Sequence, residues 1–173
     1  MRIVPKQRKA EMGTEDHSLT KIIFVCHGNI CRSYMAQCIC AELAKRRGLA
    51  ERYLFDSAAT SREEIGNEPH PEAVMKLEQM GIPALAHHAR QFQAEEYEDW
   101  DYIIYMDSEN LWGLRHLHPK DPAHKYRKLL SFRDNQPDSH AADVADPWYT
   151  GDFDSTYTDI YAACTALSGR SLL

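Results

Sequence analysis

The chain has 173 residues, 43% of them hydrophobic, and a formal net charge of −6. That length fits one domain with its own core, and mild acidity with no long basic block argues against a nucleic-acid partner. Five cysteines, at 26, 31, 38, 40 and 164, are an odd set without disulfide-framework spacing, so a reduced, cytoplasmic setting is expected.

Residues 1–20 are polar and aperiodic and read as a flexible N-terminal extension ahead of a single domain at 21–173. The start, MRIVPKQRKAEM, lacks the apolar core of a signal peptide, and no stretch reaches the ~18 apolar residues of a membrane span. Residues 21–25 (KIIFV) form a short β-branched apolar run, a buried strand. A helix follows over 33–47, with Ser33 as N-cap and Gly48 after a basic end. Residues 54–59 (LFDSAA) predict a second strand and 71–80 (PEAVMKLEQM) a second helix stopping at Gly81. A short acidic helix over 94–100 leads into a strand at 102–106, then a helix at 108–117. The pattern predicts a fourth strand within 126–132, a long polar loop over 133–148 and a final helix over 152–167. Strands alternating with helices make an α/β domain: a four-stranded parallel sheet with helices on both faces.

The chemistry concentrates at the end of the first strand, in VCHGNICRS (25–33). A strand, a short loop and a helix N-terminus form a recurring anion site, because the helix start offers backbone N–H groups and a positive dipole end. Successive loop amides can make a nest around an oxyanion. Gly28 lets the backbone approach the ligand, and Asn29 tolerates the left-handed conformation such a loop needs. Arg32 adds a planar fork for two phosphate oxygens. Cys26 sits at the bottom, where the positive field favours the thiolate. A thiolate aimed at phosphorus is a covalent nucleophile. The Arg32 side chain and the amides of His27, Gly28, Asn29, Ile30, Cys31 and Arg32 would hold the oxygens. No lysine follows the glycine, so this is not the common nucleotide-binding loop. Four residues separate Cys26 from Cys31, so it is not a thioredoxin-type motif either.

At these residues the chain resembles the low-molecular-weight protein tyrosine phosphatases. The likeness continues through DSAATSREEIGN (56–67), MGIPALAHHARQ (80–91), DYIIYMDSENL (101–111) and ADPWYTGDF (145–153), spanning about residues 21–168. It implies the same parallel sheet, with a phosphate-binding loop after the first strand, and a phosphotyrosine-bearing protein or peptide as substrate. It implies Asp146 of Asp146-Pro147 as the general acid and base, and Trp148 and Tyr149 as walls of the pocket mouth. It makes Ser33 the partner of the nucleophilic sulfur, besides or instead of a helix cap. It places Asn29, Ser57 and His87 in a network bracing the loop, with Asp107 and Arg90 in support. The chain departs from the family pattern at Tyr34, where proline is usual, at Glu63, where an aromatic is frequent, and at His70 and Glu72. Loss of that proline predicts a slightly softer loop.

Three rivals use related parts. An arginine phosphatase on the same fold tends to have threonine at the position of Ile30. An arsenate reductase needs relay cysteines, and none lies between Cys40 and Cys164. A non-catalytic phosphate-binding module would lack Cys26 or Asp146. The cysteine mechanism needs no cofactor, and the nine histidines lack metal-ligand spacing. A monomer or weak dimer, with no membrane partner, completes the expectation.

Overall fold

The computed structural model describes residues 18–169. The proposed N-terminal extension lies outside them except for its last three residues, and Thr20 already belongs to the first strand. Strands β1 (Thr20–Cys26), β2 (Tyr53–Ala59), β3 (Tyr102–Tyr105) and β4 (Tyr126–Lys128) form one sheet in the order β2-β1-β3-β4. All three pairings are parallel.

Central strand β1 explains why KIIFV shows no polar alternation: both its faces are covered. Ile22, Phe24 and Cys26 enter one core; Ile23 and Val25 enter the other. The first core is built against α1 (Arg32–Arg46), α2 (Pro71–Gln79), α4 (Leu129–Asp134) and α6 (Phe153–Gly169), through Met35, Ile39, Leu77, Leu130 and Ile160. The second lies under a 3-10 turn (Ala94–Asp99) and α3 (Ser108–Leu117), through Tyr97, Trp100 and Leu114. None of the helices among the described residues is long and apolar enough to cross a membrane.

Several expected boundaries move. Only Tyr126–Lys128 of the 126–132 run is strand; Leu129–Asp134 is helical. A short apolar run cannot declare its period, and here four consecutive buried side chains, Leu129 to Phe132, suit a helix pressed into the core. The expected 133–148 loop correspondingly shortens, and closes in a four-residue helix, α5 (Pro147–Thr150). Helix α1 begins at Arg32, with Cys31 in the N-cap position and no side-chain cap. Ser33 is therefore inside the first turn, and its hydroxyl is committed elsewhere.

The β1-to-β2 connection runs one way along the sheet and the β3-to-β4 connection the other. The crevice beyond the C-terminal end of β1 lies at this reversal, where open α/β sheets bind ligands.

Candidate active site

Cys26 ends β1 and is 3% exposed. The loop after it is fixed by its carbonyl groups. Thr60 N donates to Cys26 O, Ser61 N to His27 O, and His70 N to Ile30 O, at 2.9, 3.1 and 2.9 Å. His87 Nε2 bonds Asn29 O at 2.8 Å. Peptide planarity puts an N–H opposite each carbonyl, so turning these oxygens toward the scaffold turns amides toward the cleft.

Asn29 is the hub. It is fully buried and stands at φ 60°, the left-handed region expected for it. Its amide N–H donates to Cys26 Sγ at 3.3 Å. Its side chain donates to Ser33 Oγ at 2.9 Å and accepts from Arg90 N at 3.1 Å. Cys26 Sγ lies 3.0 Å from Ser33 Oγ. Because Asn29 occupies a lone pair of that oxygen, the Ser33 hydroxyl proton is available to a thiolate. Ser57 does not join this network: its hydroxyl donates to Gln37 Oε1 at 2.6 Å, bracing β2 against α1. Arg90 is held in turn by Asp56 and Glu96.

The Arg32 side chain is 2% exposed. Its Nη1 donates to Asp107 Oδ2 at 2.5 Å and to Val144 O at 2.8 Å; its Nη2 reaches Asp146 Oδ2 at 3.0 Å. Burial opposes this charge, but Cys26, Asp107 and Asp146 outweigh it and hold the guanidinium above its ordinary range. The Val144 carbonyl is a positioning group that no sequence motif could have revealed. Asp146 caps α5, its Oδ1 accepting from Trp148 N at 3.0 Å, with Pro147 next in line. The cap orients the carboxylate and the aromatic wall together.

Cys26, His27, Gly28, Ile30, Cys31, Arg32, Asp146, Trp148 and Tyr149 line one cleft of about 510 Å³, counted out to its open mouth, with Glu63 and Glu64 on the opposite rim. A side chain at position 28 would crowd that rim, with its Cβ 3.2 Å from Glu64 Cγ. Trp148 and Tyr149 are 59% and 81% exposed, as walls of an open mouth are.

A family model described as low molecular weight phosphotyrosine protein phosphatase matches residues 21–172. The chain belongs to this family. It is 38% identical to the low molecular weight protein-tyrosine-phosphatase YfkJ of Bacillus subtilis over 149 residues, 86% of this chain and 94% of that one. The human low molecular weight phosphotyrosine protein phosphatase is 34% identical over 154 residues, covering 87% and 95%. The crystal structure of YfkJ superposes with a TM-score of 0.82 at 37% identity, covering 88% and 94%. That of a Drosophila arginine phosphatase superposes at 0.76 with 30% identity, covering 87% and 96%.

Within this low molecular weight phosphatase, the departures at Tyr34 and His70 prove to be braces. Tyr34 is 1% exposed, donates to Leu85 O at 2.9 Å and packs on the His87 ring, centroids 4.9 Å apart. The ring in turn reaches Asn29 O. The expected softening is thus countered by a phenol tying α1 to residues 85–87. Tyr34→Phe loses one partly buried hydrogen bond, about 1 kcal/mol, and should lower Tm by roughly 2–4 °C in a calorimetric scan; an unchanged Tm would deny the brace. His70 caps α2 through Nδ1, stacks on Phe153 and meets Trp148 edge-on, backing the aromatic wall.

Burial lowers the pKa of the His87 imidazole below its ordinary 6.5. The unfolded chain then takes a proton near pH 6.5 that the folded chain resists, so stability falls as pH drops through this range. Tm should therefore decline less steeply between pH 7 and 5 in His87→Gln than in the wild type. Parallel slopes would remove His87 from the acid response.

Proposed function

We propose that this protein hydrolyses phosphotyrosine, and aryl phosphate monoesters generally, through a cysteinyl-phosphate intermediate. The observation that carries it is one cleft bringing together the Cys26 sulfur, the Arg32 loop and the Asp146 carboxylate. Cys26 attacks phosphorus while the loop amides and Arg32 hold the three equatorial oxygens. Asp146 gives its proton to the departing phenolic oxygen. In the second step ionised Asp146 takes a proton from water, whose oxygen displaces Cys26 as thiolate. Ser33 supports that thiolate by donating its hydroxyl proton.

An arginine phosphatase is the second reading, since a relative of that description shares the fold. Against it stands Ile30, an apolar side chain on the lining where a phenyl ring packs better than a guanidinium finds partners. Turnover of p-nitrophenyl phosphate in EDTA, followed by kcat/KM for phosphotyrosine and phosphoarginine peptides, tests both. Higher kcat/KM for phosphotyrosine supports the first reading, and the reverse order establishes the second.

Cys31 lies in the same loop as Cys26. Its thiol is pushed up by burial and by the negative charges of Cys26 and Asp146, so it stays protonated while Cys26 reacts. Peroxide would convert Cys26 to a sulfenic acid. Condensation with the Cys31 thiol would then form a disulfide and release water, sparing Cys26 from irreversible oxidation. After a peroxide pulse, Cys31→Ser should regain less activity in dithiothreitol than the wild type, and equal recovery would reject this role. A cytoplasmic setting, monomer or weak dimer, fits such a thiol-dependent enzyme.

A further inference from the structure

A second depression opens beside the catalytic cleft, lined by His27, Thr60, Ser61, Glu109, Trp112 and Gly113. His27 lines both, so the two adjoin. Trp112 is 74% exposed, although indole is among the groups that gain most from burial. Its ring is held nearly parallel to that of His116, 14° between planes and 5.8 Å between centroids, which makes it a flat platform. Helix α3 can approach the segment after β2 only because residue 113 is glycine: a Cβ there would come within 2.7 Å of Thr60 Cβ. Gly113 and Thr60 both line the depression.

Apart from His27 and His116, the charged side chain on its lining is a carboxylate, Glu109. Glu109 precedes Trp112 by three residues and so shares its helix face. Glu63 stands across the mouth with its side chain 71% exposed, 3.0 Å from His27. No lysine or arginine lines the depression. An exposed aromatic face flanked by carboxylates suits a cation, and a planar guanidinium best, since it stacks and bonds at once.

We propose that this depression binds an arginine side chain lying within a few residues of the phosphotyrosine in a protein substrate, stacked on Trp112 and paired with Glu109. The proposal rests on the phosphatase reading and supplies its substrate class: phosphotyrosine in a basic context. Acidic flanks meet Glu63 and Glu109 and are disfavoured.

The test uses peptides carrying a non-hydrolysable difluoromethylphosphonate analogue of phosphotyrosine, with arginine, alanine or aspartate placed in turn at the three positions on either side. Affinities are read by fluorescence anisotropy for the wild type, Trp112→Ala and Glu109→Gln. At the best position arginine should tighten binding about three-fold over alanine, and that ratio should fall toward one in both variants. Equal affinity for arginine and alanine peptides in the wild type, or a preference surviving in both variants, overturns the subsite. Wild-type turnover of p-nitrophenyl phosphate is measured alongside. Its absence would count against the catalytic reading alone, because phosphonate affinities do not depend on turnover.

Discussion

Cys26→Ser should lose turnover of p-nitrophenyl phosphate by a factor on the order of 10⁴ or more, while still binding inorganic phosphate or tungstate. A serine hydroxyl stays protonated at neutral pH, and nothing in the site can remove its proton in time: Asp146 must arrive at phosphorus as an acid. The cradle, by contrast, does not depend on sulfur. The loop carbonyls remain bonded to Thr60, Ser61, His70 and His87, and Arg32 remains held by Asp107 and Val144. Isothermal titration with phosphate beside a turnover assay separates the two properties. Residual turnover within ten-fold of the wild type would mean that Cys26 is not the nucleophile.

Asp146→Asn tests the acid more cleanly than Asp146→Ala. Alanine removes the proton donor and also the α5 cap, whose loss costs about 1 kcal/mol and frees Trp148 and Tyr149. Asparagine can still accept from Trp148 N, so the wall stays in place. The expected fall in kcat is about 10²–10⁴-fold for phosphotyrosine. It should be smaller for p-nitrophenyl phosphate, whose leaving group departs readily without a proton. A penalty independent of the leaving group would reduce Asp146 to a positioning role beside Arg32.

Much of this site was legible in the sequence because it is local. Cys26 through Ser33 are contiguous, and a β-branched run fixes the strand that delivers them. Asp146-Pro147 was legible only through resemblance, since an Asp-Pro pair elsewhere in the chain, Asp121-Pro122, organises a turn: Asp121 accepts from Lys125 N and Tyr126 N. What stayed hidden involves partners distant in sequence. Ser57 pairs with Gln37, twenty residues away, rather than with the loop. Tyr34 looked like a missing proline, yet finds Leu85 fifty-one residues on. Ser33 looked like a helix cap because capping and thiol-bonding residues are the same residue type; only the start of α1 at Arg32 separates the roles. The 126–132 run misled for a different reason, its apolar stretch being too short to carry a period. Trp112 carried no signal at all: on a helix surface, one aromatic reads like any other.

The reacting sulfur stands at the end of an interior strand of the sheet, whose residues Ile22 to Val25 are entirely buried. The groups at and beside the cleft mouth, Glu63, Trp112, Trp148 and Tyr149, all project from the surface. Exposed positions usually accept substitution within about ±0.5 kcal/mol of stability, whereas each side chain from Ile22 to Val25 is packed into one of the two cores. Rim and machinery are thus mechanically separable: replacements at the exposed positions leave the packing that holds the sulfur untouched.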